Sequence, residues 1–176
     1  QSYDHFEGCG YAKAALNCSE PDHIPSCPLP LHPLRKGLLN QSAYALHLFI
    51  RDACEGDLVR WIDDRLEQAD DTSKPGRVQR MRAAVLDPLR SVFGVSDKVL
   101  SMALASLLLC GDPQRERWVV TGASMIAIDT LVHNWLHRTG ILRELGAEHP
   151  YGARCYGPGG CADIIEDVAQ VIDASQ

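Results

Sequence analysis

Aromatic residues are scarce in this chain, at 6% of 176 residues. Strict apolar–polar alternation is hard to find, which argues against a protein built mainly from sheets. Long hydrophobic runs are missing too. The longest, such as Ala103 to Cys110, fall far short of the roughly 20 residues that a membrane span needs. No basic segment followed by an apolar stretch stands at Gln1, so no secretory signal is visible, although a cleaved one would leave no trace. Excess positive charge is also absent: Lys plus Arg is 17, Asp plus Glu is 23, and the net charge is −6. That balance argues against a protein that coats nucleic acid without specificity, because cations drive phosphate binding. There is no internal repeat and no low-complexity tract.

What is present is ordinary for a globular protein. Hydrophobic residues make up 45% and charged residues 23%, which excludes a largely disordered, fibrous or collagen-like chain. The length fits one domain, or two small subdomains sharing a core. Charge is unevenly spread. Residues 74 to 98 hold six basic side chains (Lys74, Arg77, Arg80, Arg82, Arg90 and Lys98) against Asp87 and Asp97, whereas residues 55 to 71 hold seven acids and two arginines. A basic stretch in the middle of the chain is thus flanked by an acidic one.

Helical periodicity is common, so the fold class expected is all-α. Gln1 to Pro33 reads as irregular, punctuated by Pro21, Pro25, Pro28, Pro30 and Pro33. Helices are expected over about Asn40 to Ala53, with Ala43, Leu46, Phe49 and Ile50 inward, and over Leu58 to about Ala69. A polar loop follows, then a helix from about Arg77 to Val92 carrying Val78, Met81, Val85 and Leu89 on one face. The next helix runs from near Lys98 to Cys110, with Val99, Met102, Ala103 and Leu107 inward. A helical region from about Glu116 to Thr139 is interrupted by Gly122, and a final helix carries Ile164, Ile165, Val168 and Ile172 inward.

Seven cysteines form no evident disulfide framework. Cys54 and Cys110, within or at the end of apolar stretches, read as reduced core residues, which favours a reducing, intracellular setting. Cys155 and Cys161 flank a Tyr-Gly-Pro-Gly-Gly turn, and Cys9, Cys18 and Cys27 lie in the irregular N-terminal stretch. A four-cysteine zinc site joining Cys155 and Cys161 to two of those three is one reading; free thiols or a redox-labile disulfide are the others. His133 and His137 stand four apart on a helix, and no glutamate completes a zinc-protease pattern, so both are expected to face solvent or DNA. Trp118 and Trp135 are expected in the core.

The centre of the chain carries the chemical signal. Gly94-Val95-Ser96 joins two helices, with Lys98 at the start of the second. Such a turn aims backbone N–H groups outward at a helix N-terminus, an anion site suited to one backbone phosphate. Gly94 supplies the permissive backbone. Gly94-Val95-Ser96-Asp97-Lys98-Val99 resembles the Gly-Val-Gly-x-Lys motif of the helix-hairpin-helix DNA glycosylases. Ala127-Ile128-Asp129-Thr130-Leu131-Val132, followed by Arg138-Thr139, is similar to that superfamily's Ala-Val-Asp-Thr-x-Ile…Arg-Thr block. The likeness covers about residues 77 to 142, inside what reads as a single compact domain over 1 to 176.

The resemblance implies two small helical subdomains with a helix-hairpin-helix motif and a cleft between them. It implies a base-excision glycosylase with AP lyase activity on an oxidised purine such as 8-oxoguanine, acting on damaged double-stranded DNA as a monomer. Lys98 would attack C1′ and form a Schiff base, and Asp129 would stabilise the developing sugar cation. A lysine is nucleophilic only when deprotonated, and Phe93, Val99 and Met102 are the neighbours expected to desolvate it. Gly94, Val95 and Ser96 would contact DNA, Gln41 would fill the hole left by the flipped base, and Met102 would wall the base pocket. No cofactor is required, although a monovalent cation fits at the hairpin.

Departures from the family pattern are plain. Ser96 replaces the second glycine, Lys98 and Asp129 are 31 positions apart, and the four-cysteine iron–sulfur loop is absent. The long spacing is similar to that of archaeal-type 8-oxoguanine glycosylases. A nucleoside or nucleotide N-glycosidase of the same fold, or a non-catalytic hairpin module that binds DNA or protein, are the alternatives.

Overall fold

The structure is a computed structural model that describes Tyr11–Ala12, Asn17–Cys18, and residues 38–92 and 94–173. Cys9, Cys27 and Phe93 lie outside the described residues, as does the side chain of Gln41. The described chain is helical, apart from a two-residue antiparallel ladder that pairs Tyr11 with Cys18 and Ala12 with Asn17. Eight α-helices follow among the described residues: α1 (Leu38–Asp52), α2 (Leu58–Ala69), α3 (Arg77–Leu89), α4 (Asp97–Leu109), α5 (Glu116–Ala123), α6 (Thr130–Arg138), α7 (Ile141–Glu144) and α8 (Cys161–Asp173). A 3₁₀ turn at Ala153–Tyr156 precedes α8.

Two compact units share the chain: Gln1–Gln68 with Asp87–Val95, and Ala69–Leu86 with Ser96–Gln176. In the first, α1 and α2 bury Ala45, Leu48 and Phe49 together with Trp61, Ile62 and Leu66. Phe49 and Trp61 meet edge to face at 5.4 Å between ring centres, an arrangement favoured by the ring quadrupoles. The turn between these helices is tight. Glu55 and Gly56 both take positive φ, the Gly56 amide bonds the Ile50 carbonyl at 2.8 Å, and Asp57 caps α2 by accepting from the Arg60 amide at 2.9 Å.

In the second unit α4 packs along α5. Gly122 makes that approach feasible, since a Cβ there would lie 2.9 Å from the Leu108 Cβ and 3.0 Å from the Leu109 Cγ. A second cluster unites Ile128, Leu136, Leu142, Cys155, Tyr156, Cys161, Ala162 and Ile164. Buried Arg82 ties α3 to α8, bonding Glu166 at 2.9 Å, Asp163, and the Ser124 carbonyl at 3.2 Å.

Several expected faces are rotated. On α1 the buried residues are Ala45, Leu48 and Phe49, not Ala43 and Leu46. On α4 they are Leu100, Ser101, Leu104 and Leu108, while Val99, Met102, Ala103 and Leu107 are exposed. α4 is apolar on most of its circumference, so periodicity does not select a face there. α3 stops at Leu89 rather than Val92, because the amides of Arg90, Ser91 and Val92 bond the carbonyls three residues back instead of four. Cys110 is exposed rather than buried. Val168 and Ile172 are exposed, so α8 is inward only over its first half.

Candidate functional site

The turn before α4 has the backbone its sequence demands. Gly94 sits at φ +75°, and a Cβ there would fall 2.5 Å from the Ser42 Oγ, so both conformation and space call for glycine. Ser96 is the extended N-cap of α4 without a side-chain capping bond. Its carbonyl accepts from the Leu100 amide at 2.9 Å. Asp97 occupies the first turn, where an acidic side chain already complements the helix dipole.

Lys98 lies in that first turn, and Asp129 is the N-cap of α6. The fold brings the Lys98 Nζ to 3.5 Å from the Asp129 Oδ2. The two carboxylate oxygens divide their work: Oδ1 accepts from the Leu131 and Val132 amides, each at 2.9 Å, and Oδ2 faces the lysine. The Val132 amide, with the Lys98 charge behind it, holds the Asp129 carboxyl below its ordinary range. The desolvation expected around Lys98 is not there. Its side chain is 41% exposed and that of Asp129 is 34% exposed, while Val99 and Met102 point outward. Met102 is 53% exposed, so it is not a core methionine, and it stands one turn along α4 from Lys98.

The basic stretch does not form an open cationic surface. Arg77 bonds Asp70 and Glu116, and Arg117 shares Asp70 at 2.7 Å. Arg80 donates to the carbonyls of Asp71, Lys74 and Pro75. Arg82 is buried against two acids, Lys74 pairs with Asp71 at 2.8 Å, Arg90 pairs with Asp87, and Lys98 faces Asp129. Every basic side chain counted between 74 and 98 therefore has an acidic or carbonyl partner.

A separate cluster gathers around His133, one turn into α6. The ligand atoms of His133, His149, Cys155 and Cys161 all lie within 4.8 Å of one another, and all four residues are buried. The His133 Nδ1 is 3.4 Å from the Cys161 Sγ and 3.6 Å from the Cys155 Sγ, and the His149 Nε2 is 3.5 Å from the Cys161 Sγ. Burial, reinforced by neighbouring Cys155, pushes the Cys161 thiol up to about 12. Burial also lowers the His133 pKa, helped by the neighbouring His149 and His137. Cys155 and Cys161 face His133 and His149, a grouping the sequence spacing did not suggest. Cys9, Cys27 and the Cys18 side chain lie outside the described residues. His133 is buried rather than solvent-facing, while His137 stays exposed with its ring centre 6.3 Å away. Trp118 is buried as expected, but Trp135 is 60% exposed.

Local chemistry explains why the cysteines converge. Gly160, just before Cys161, could not carry a Cβ, because the atom would fall 2.1 Å from the Arg154 carbonyl oxygen and 2.9 Å from the Cys155 carbonyl. The chain from Cys155 to Cys161 thus folds back on itself into a knuckle, closed by the Gly160 amide on the Gly157 carbonyl at 2.9 Å. The sequence signal for the histidines was weak. Helical spacing paired His133 with His137, and His149 sits in a loop without a motif. No family model, curated protein or solved structure matches the chain.

Proposed function

We propose that the chain is a base-excision DNA glycosylase with AP lyase activity on an oxidised purine such as 8-oxoguanine, acting through Lys98 and Asp129. The observation that supports it best is the 3.5 Å approach of two side chains 31 positions apart, at the N-terminal ends of two different helices. In this reading the deprotonated Lys98 Nζ bonds to C1′ as the N-glycosidic bond breaks. The base leaves with the bonding pair and takes up a proton, and opening of the sugar yields the imine. A carboxyl held below its ordinary range is a poor proton acceptor, so the part of Asp129 is electrostatic: it stabilises positive charge on the sugar. The turn at Gly94, Val95 and Ser96 would take one backbone phosphate, with Met102 beside the flipped base and Gln41 filling the duplex. A monovalent cation at the turn and a monomeric protein complete the reading.

The test is borohydride trapping on duplexes carrying 8-oxoguanine, an abasic site or no lesion. A covalent adduct on the 8-oxoguanine duplex, lost in Lys98→Gln, is the expected result. No adduct on any duplex refutes the lysine mechanism. One observation favours a second reading, a nucleoside or nucleotide N-glycosidase: the basic side chains of residues 74 to 98 are already partnered, which leaves few cations for a DNA backbone. Base release from free nucleosides without retention on duplex DNA would select it.

A further inference from the structure

We infer that His133, His149, Cys155 and Cys161 bind one zinc ion, which staples the irregular segment between α7 and α8 onto α6. A tetrahedral zinc holds nitrogen at about 2.0–2.1 Å and sulfur at about 2.3 Å, which sets N···S separations of about 3.6 Å. The separations present are 3.4, 3.5 and 3.6 Å. Two thiolates and two neutral imidazoles cancel the charge of a divalent ion, so the loaded site buries no net charge.

The outer partners agree with this donor set. The His149 Nδ1 is 2.6 Å from the Ala147 carbonyl. Only a protonated Nδ1 satisfies that contact, so Nε2 is left as the lone-pair nitrogen, and Nε2 is the atom turned to Cys161. Four buried protein ligands leave no open position for water or substrate, the mark of a structural rather than a catalytic zinc. A shallow depression lined by His133, Asn134, His137, Glu148, His149 and Pro150 gives the ion a way in.

The staple has a clear mechanical purpose. Between α7 and α8 the only regular structure is one 3₁₀ turn, and a segment so poor in ladder hydrogen bonds gains order from a metal. His133 is one turn into α6, and its amide donates to the Asp129 carbonyl at 3.0 Å. The ion would therefore anchor the same helix whose first turn Asp129 caps. The proposal stands apart from the glycosylase reading, since its test uses no DNA.

The full chain, purified under reducing conditions, is analysed for metal content, then stripped and titrated with cobalt(II). About one zinc per chain is expected, with a thiolate-to-cobalt charge-transfer band, tetrahedral visible bands, and a Tm that rises with added zinc. Cys155→Ser, Cys161→Ser and His149→Ala should each weaken or abolish the band, whereas Cys110→Ser should leave it intact. Where a ligand variant fails to fold, the wild-type cobalt spectrum decides alone. A folded, reduced chain that takes up neither metal overturns the proposal. So does a Cys155–Cys161 disulfide in the purified chain, or a cobalt spectrum that survives both cysteine substitutions.

Discussion

Tyr156→Phe isolates one hydroxyl that holds the backbone beside Asp129. The Tyr156 Oη accepts from the Ile128 amide at 2.9 Å and donates to the Ile128 carbonyl at 2.6 Å. Ile128 itself is fully buried, so no water replaces the lost partner. Phenylalanine keeps the ring within the Ile128–Leu136–Leu142 cluster and removes only the bonds. A buried group left unpaired costs about 1–3 kcal/mol. The amide bears that cost in full, whereas the carbonyl retains the Tyr151 hydroxyl at 3.4 Å. The expected loss is about 2–3 kcal/mol, which for a chain of this size lowers Tm by about 5–10 °C. Denaturant unfolding of both proteins at equal metal content measures it, and amide exchange at Ile128 should speed up in parallel. The pH dependence provides a second check. Burial raises the Tyr156 phenol from its ordinary 10.0 to about 12. A raised folded value means that its stability contribution is complete below pH 10 and is lost as pH climbs towards 12. Tyr156→Phe should lack that alkaline component. A stability loss under about 0.5 kcal/mol, the range of ordinary surface changes, would refute the argument that this hydroxyl fixes the strand of chain leading to Asp129.

Asp129→Asn and Asp129→Ala separate the two duties of one carboxylate. Asparagine still caps α6, so its Tm should stay near wild type, whereas alanine lowers it; trapping on lesion DNA should fall in both, and equal melting of the two variants would contradict the cap. Arg82→Met leaves Glu166 buried without its cation, and removing one partner of a buried pair costs about 3–5 kcal/mol at neutral pH. Burial already raises the Glu166 pKa above 4.5. Protonation below that value removes the stranded charge, so the gap to wild type should narrow as pH falls, and a pH-independent gap in urea titrations would count against the ion pair.

The all-α class and most helix bounds were legible because proline, glycine and polar loops punctuate the chain clearly. α2 falls on Leu58–Ala69 as read, and the break near Gly122 is real. Core faces were less legible where a helix is apolar nearly all round, as in α4, because burial there depends on what packs against it. The acid and the lysine were legible as a pair only through their motifs, whereas Asp129-Thr130 also reads as a helix start, and Asp129 is indeed the cap of α6. The metal-type cluster was half legible. Cys155 and Cys161 stood out by their turn, but His133 and His149 are 16 residues apart across two helix ends, a spacing set by tertiary folding rather than by a local motif.

The acid at 129 is positioned by residues that come after it in the chain. Ile128 has no helical partner of its own, since it lies between the end of α5 and the start of α6. Its amide and carbonyl are held by Tyr156, the residue after Cys155, and the amide one turn on belongs to His133. The knuckle that brings Cys155 to Cys161 thus carries both the phenol that clamps the entry to α6 and two sulfurs facing the histidine within it. The buried Arg82–Glu166 pair also fastens α8, whose first residue is Cys161. Loosening the knuckle should therefore act at Asp129 without touching it. Under the zinc proposal, metal removal is expected to raise amide exchange at Ile128 and His133 together, while α5, held against α4 through Gly122, keeps its protection. If exchange rose instead uniformly along α5 and α6, the two would belong to one cooperative unit, and the knuckle would have no selective hold on the acid.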